Sequence, residues 1–231
     1  MSSATKINNA GLATLLAALA MLGPFSIDTY LPAFPNIQAT LNASALEVQQ
    51  TLTAYMLSFA VMTLWHGALS DAFGRRNVIL VALAVFAVVW GFRILQGVSA
   101  GAGMVVGRAI IRDLYAGAPA ERLLSLVTMI FSIAPAIAPI RGGWVVSFLG
   151  WRAIFLLLFG YTVALWWASY KYLPESLPMD KRQPFSAEFL WTSYKKVFKS
   201  PLFHLKAGTI AFNFAGLFLY VSAAPAFITQ H

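Results

Sequence analysis

Gly67-Ala68-Leu69-Ser70-Asp71-Ala72-Phe73-Gly74-Arg75-Arg76 closes one apolar run, 49–69, and opens another, 77–115. The first run suits a single helix across a ~30 Å hydrocarbon core, which takes about 20 residues. The second holds 39 residues. As one helix it would reach ~58 Å at ~1.5 Å per residue, nearly twice the core, so it reads as two helices. Further spans are expected at 10–33, 123–149, 151–173 and 205–227, seven in all. The fold class is therefore all-α: a polytopic membrane helix bundle.

Composition agrees. Apolar residues make up 59% of the 231, charged residues 10%, and the mean hydropathy is +0.72. A soluble domain usually carries about 25% charge, so this chain has too little polar surface to cover a water-facing globule. Cysteine is absent, which excludes disulfides, thiolate metal sites and a cysteine nucleophile. No spaced cluster of His, Asp and Glu suggests a metal, and no triad or paired acids suggest an enzyme. No cofactor is expected.

The net charge of +8 is distributed by topology. No basic residue lies between Lys6 and Arg75. With the N-terminus in the cytoplasm, the breaks at 70–77 and 112–122 and the stretch 174–204 are cytoplasmic. With Lys6, Lys171 and Lys206 they hold twelve of the sixteen Lys and Arg. Arg152 alone falls on the opposite side, and Arg93, Arg108 and Arg141 fall within spans. This is the positive-inside pattern of a membrane protein, not a stripe for nucleic acid. The expected partner is the lipid bilayer. Lys6, an apolar stretch and Ala18-Leu19-Ala20 also resemble a secretory signal. The apolar run continues past that site, so an uncleaved first helix is the simpler reading.

Three divisions follow: a bundle at 1–173, a cytoplasmic linker at 174–204, and at 205–231 the first helix of a further bundle. Pro174, Pro178 and Pro184 break any continuous helix in the linker. Its segment 186–200 mixes aromatic and basic residues and could lie on the inner membrane surface, although a tether between bundles is preferred.

Within the opening stretch, Gly67 and Gly74 allow close approach and a tight turn, and Asp71 can cap a helix or pair with Arg75 or Arg76. The spacing G-x-x-x-D-x-x-G-R-R resembles the cytoplasmic loop of major facilitator superfamily transporters. Arg93, Gln96 and Gly97 look like that superfamily's fourth-helix R-x-x-Q-G motif. Pro135 and Pro139, with Gly142 and Gly143, are similar to the fifth-helix motif of its drug antiporters. Asp28-Thr29-Tyr30-Leu31-Pro32-Ala33-Phe34-Pro35 resembles the Bcr/CflA subfamily, and Pro174-Glu175-Ser176-Leu177 sits where that subfamily leaves its sixth helix.

The resemblance implies a six-helix N-terminal half plus the start of the second. It implies efflux of drugs or other small apolar molecules across a bacterial inner membrane by proton antiport, with the proton gradient as coupling ion. Asp28 and Arg93 would couple the proton. A membrane-embedded acid or arginine is expensive unless paired, solvated or turned to the bundle interior. Gly67, Asp71, Gly74, Arg75 and Arg76 would hold the cytoplasmic gate. Tyr30, Phe34, Met56 and Trp65 are weak candidates for an apolar substrate pocket. Gly97, Gly101, Gly103 and Gly107 with Ser99, Ala100 and Ala102 form a small-residue face for close helix packing.

Three departures stand against the family pattern. The chain stops at His231, so a missing C-terminal half is an implied partner, and the alternative is a degenerate fragment that inserts without transporting. Only sixteen residues separate Arg76 from Arg93, a helix of ~24 Å, which leaves Trp90-Gly91 as the turn, with either the hairpin buried below the outer surface or helix three truncated. Arg141 stands where the family has an aliphatic residue. A mid-span arginine costs ~2.5 kcal/mol or more, and it reads as a damaging change, with Asp28 as the alternative partner.

Overall fold

The computed structural model describes residues 9–89 and 92–229. Lys6, the expected turn at Trp90-Gly91 and His231 lie outside the described residues. Among the described residues the ordered elements are all helical.

Helix α1 (Asn9–Asp28) leads through a 3₁₀ turn, Leu31–Ala33, into α2 (Phe34–Leu41). Together they make a 33-residue apolar path. Asn42, at φ 51°, ends α2 in the left-handed region that asparagine tolerates. Helix α3 (Ala45–Phe73) then starts from a capping box. Glu47 N donates to Ser44 Oγ at 3.2 Å, and Ser44 N donates to Glu47 Oε2 at 2.8 Å.

Helix α4 (Arg75–Val88) has 14 residues. That is ~21 Å of helix, short of a ~30 Å core. The shortened third helix read from the sequence is therefore present. Helices α5 (Arg93–Ala100) and α6 (Ala102–Leu114) meet at Gly101. Helices α7 (Ala118–Phe131) and α8 (Ala134–Leu149) are interrupted at Ser132 and Ile133, just before Pro135. Proline is favoured in the first turn of a helix, where its missing N–H loses no bond, and Pro135 opens α8 there. Helix α9 (Arg152–Tyr172) follows.

Five helical paths among the described residues are long and apolar enough to cross a membrane, against seven spans expected. One difference is α4, whose length is the physical reason. The last expected span, 205–227, lies in α11 (Pro201–Thr229) of a separate unit. The chain divides into two compact units, Met1–Pro184 and Phe185–His231. In the second, α10 (Ala187–Phe198) turns into α11 at Ser200, where His204 Nε2 and Phe198 O lie 2.6 Å apart. Phe198 and Phe203 meet edge-on there at 5.5 Å.

In the first unit α1 is the hub, with Leu12, Leu16, Leu19 and Leu22 buried among α6, α7, α8 and α9. Small residues set the spacing. A Cβ at Gly103 would lie 2.7 Å from Leu19 C, and one at Gly97 would meet the Tyr55 carbonyl and Phe59 N. Helices this close need glycine at the crossing. Elsewhere the bundle is apolar on its outside. Leu57, Val61 and Leu64 of α3 and Trp144 and Phe148 of α8 are all exposed. Such a surface suits lipid or another bundle rather than water.

The helices alternate in direction, so their ends sort into two sets. At one end Tyr115 Oη donates to Asn9 Oδ1 at 2.7 Å, and the α3–α4 turn meets the segment after α9. The opposite end gathers the α2–α3 turn, the start of α5 and the start of α9.

Candidate functional site

The α3–α4 turn is a single residue. Gly74 sits at φ 93°, ψ 145°, a conformation that other residues rarely adopt. A Cβ there would fall 2.5 Å from Glu175 Oε2 and 2.6 Å from Arg182 Nη2. Glu175 needs this approach because its other oxygen, Oε1, accepts from Arg75 N at 2.9 Å and Leu177 N at 3.2 Å. Arg75 is the centre of the network. Its guanidinium pairs with Asp71 at 2.5 Å and with Asp113 at 3.0 Å, and its Nη1 donates to Ser70 Oγ at 2.6 Å. Ser176 Oγ donates to the same Asp113 oxygen at 2.8 Å. With its side chain only 10% exposed, Arg75 is screened less than a surface ion pair. Arg76 lies outside this network: its Nη2 donates to Tyr170 O at 2.5 Å, and the guanidinium sits 5.3 Å from the Tyr170 ring.

The structure thus brings Asp71, Gly74, Arg75 and Arg76 together at one end of the bundle. Gly67 does not belong to the packing. Nothing lies within 4 Å of a Cβ built there, so the close approach expected at this glycine is not made. Asp113, Glu175, Ser176 and Arg182 were missed as partners. They lie far from Arg75 in sequence. The available signal was scarcity: the chain has only eight acids, and each one needs a place.

At the other end Arg93 opens α5. It is 6% exposed. Its Nη1 donates to Gln96 Oε1 at 2.9 Å, and its guanidinium lies 4.6 Å from the Tyr30 ring and 4.2 Å from the Tyr55 ring. Tyr55 is anchored by Ser26 Oγ at 2.6 Å and by Gly23 O at 3.1 Å, while the Tyr30 and Thr51 hydroxyls are 3.0 Å apart. Two aromatic rings and one amide position this arginine. Tyr30 and Arg93 line a cleft of about 540 Å³ with Val48, Trp151 and Phe155, and Phe34 stands edge-on to Tyr30 at 5.2 Å. Tyr55 was not singled out from the sequence, where nothing distinguishes it from other span tyrosines.

Asp28, the last residue of α1, is half-buried. Among the described residues it forms no ion pair, with Arg93 or with Arg141. Arg141 is exposed on α8 and makes no ion pair among the described residues, so the alternative partnership with Asp28 is not made. Met56 and Trp65 are 43% and 39% exposed on α3, away from the cleft lining. The pocket expected from Tyr30, Phe34, Met56 and Trp65 is therefore split, because α3 presents only one side to the bundle. Of the fifth-helix motif, Pro135 is exposed at the start of α8, and Pro139 lies within the helix. Gly142 packs against the residue after α1, where a Cβ would stand 2.9 Å from Thr29 Cα. Gly143 faces open space.

Residues 16–231 match the Major Facilitator Superfamily. The chain is 38% identical over 231 residues to the "Uncharacterized MFS-type transporter YdgK" of Bacillus subtilis (strain 168), covering 93% of this chain and 57% of that protein. It is 31% identical to the "Bicyclomycin resistance protein homolog" of Haemophilus influenzae, covering 90% of this chain and 56% of the relative. It is 30% identical to "Multidrug resistance protein D" of Escherichia coli (strain K12), covering 82% and 50%. Among solved structures, the human organic anion transporter MFSD10 aligns with a TM-score of 0.63 at 16% identity, over 84% of this chain and 57% of that one. At that identity the likeness speaks for the fold alone. The chain spans about half the length of the relatives it matches.

Proposed function

Because the chain belongs to the Major Facilitator Superfamily, we propose that it acts in proton-coupled export of drugs or other small apolar molecules. The setting is a bacterial inner membrane. The N-terminus and the Gly74 end, which carries Arg75, Arg76, Lys171, Lys181 and Arg182, face the cytoplasm. Relatives named for bicyclomycin and multidrug resistance support the substrate class.

The observation that carries this reading is Arg93: a buried guanidinium held between Tyr30 and Tyr55 on an apolar cleft. A fixed charge there biases the protonation of acids in the same bundle, and Asp28 is the acid we assign to the coupling. The exposed apolar faces of α3 and α8 are where a second bundle would pack, and rocking of the two bundles gives alternating access. The Arg75 network would then lock the cytoplasmic end.

The test is efflux of a loaded drug from proteoliposomes held acid outside. Export by the wild-type chain, lost in Asp28→Asn and Arg93→Ala, supports the assignment. Export that both changes leave intact overturns it. A wild-type chain that inserts but moves nothing favours the fragment reading.

A further inference from the structure

We propose that the cleft at the outer end binds an organic anion, with a carboxylate seated on Arg93 and an apolar body against the cleft wall. The guanidinium is always charged and carries five N–H donors. Only one hydrogen bond is made among the described residues, from Nη1 to Gln96. Nε and Nη2 are buried and make none. These two atoms form the side-on edge of the guanidinium, the edge that meets a carboxylate through two parallel hydrogen bonds. The rings of Tyr30 and Tyr55 pack on the guanidinium at 4.6 and 4.2 Å, and neither gives Nε or Nη2 a hydrogen-bond partner.

No acid among the described residues supplies the counter-charge. The salt bridges among the described residues do not include Arg93. Glu47, the one acid among the described residues that line the cleft, is engaged at its own helix start, accepting from Ser44 N and Ser44 Oγ at 2.8 Å each. A buried cation without an anion is costly, and a ligand carboxylate relieves that cost.

The surroundings define the rest of the ligand. The cleft, about 540 Å³, is the size of a drug-like molecule, and Ile37, Val48 and Phe155 give it apolar walls. Arg152 stands on the rim, stacked 4.5 Å from the Trp151 ring, and adds a second positive charge for attracting anions. Nε and Nη2 are closed to solvent in this conformation, so seating the carboxylate requires the guanidinium to turn toward the cleft that its own side chain lines. The inference deepens the transport reading by naming a ligand class, and it rests on that reading only in placing the ligand in this cleft.

Equilibrium binding needs no gradient, so its failure and the failure of transport are distinguishable. The probes are 4-phenylbutyrate and its uncharged amide, titrated against the full chain in neutral detergent micelles and followed by tryptophan fluorescence. The acid is expected to bind at least tenfold tighter than the amide. Arg93→Lys, which keeps the charge and loses the fork, is expected to remove that preference. Equal binding of acid and amide, binding of neither, or a preference that survives Arg93→Lys overturns the proposal. The acid–amide comparison on the unaltered chain decides the matter even where Arg93→Lys fails to fold. Displacement of the acid by phosphatidylglycerol, but not by phosphatidylcholine, would overturn the small-molecule assignment in favour of a lipid headgroup.

Discussion

Replacing Gly74 by alanine tests the α3–α4 turn at its tightest point. The backbone there, φ 93° and ψ 145°, costs a residue with a side chain about 1–3 kcal/mol. The new Cβ would also fall 2.5 Å from Glu175 Oε2 and 2.6 Å from Arg182 Nη2. Both are ends of flexible side chains and can swing aside, but moving Glu175 breaks its bond from Arg75 N. A hydrogen bond to a charged group contributes about 1.5–3 kcal/mol. The two effects together predict a loss of about 3 kcal/mol or more, a shift of over a hundredfold in the unfolding constant. Reversible unfolding in mixed micelles, followed by circular dichroism, measures it. Gly160→Ala in α9 is the control. Nothing lies within 4 Å of a Cβ there, and a helical Gly→Ala change is expected to be neutral or stabilising by up to about 1 kcal/mol. A Gly74→Ala chain that unfolds within about 0.5 kcal/mol of wild type refutes the reasoning, since the strain alone exceeds that.

Gly97→Ala and Gly103→Ala should both destabilise the bundle in the same assay, because each Cβ meets the backbone of a neighbouring helix. Gly107→Ala should cost less than either, since its nearest neighbour is Leu16 Cδ2 at 3.6 Å; equal losses at all three would contradict the close approach. Arg75→Ala should loosen the segment after α9. The chain has no cysteine, so a single cysteine at the half-buried neighbouring position, Leu177→Cys, reports this, with maleimide labelling expected to rise about fivefold for each ~1 kcal/mol of anchoring lost. Unchanged labelling would mean that Arg75 does not hold the segment. Tyr55→Phe keeps the ring on Arg93 but loses the hydroxyl contacts at 2.6 and 3.1 Å. It should cost about 1 kcal/mol, because Ser26 Oγ keeps its bond to Gly23 O.

Much of this was legible in the sequence because lipid imposes one rule everywhere. A backbone without water must form a helix or a closed barrel, and apolar runs of about 20 residues suit helices rather than the ~10-residue strands of a barrel, so apolar length places α1, α3 and α9. The sixteen residues between Arg76 and Arg93 likewise foretold the short α4. Interruptions were harder. Gly101 and Ser132 sit inside unbroken apolar runs, where hydropathy has no voice. Partnerships were harder still. Arg75 and Asp71 are neighbours on one turn, but Asp113 and Glu175 reach the same guanidinium or its backbone only through the fold. Met56 and Trp65 stand apart from the cleft lining for a related reason. With apolar residues on every side of α3, periodicity does not reveal which face meets the bundle and which meets its surroundings.

Proton counterflow tests the proposed activity most directly. Proteoliposomes carrying the chain and loaded with pyranine report lumenal pH while a drug leaves against an acid exterior. The account predicts lumenal acidification that begins with drug efflux and stops in Asp28→Asn. Drug efflux without acidification, or acidification of equal rate in Asp28→Asn, would contradict it.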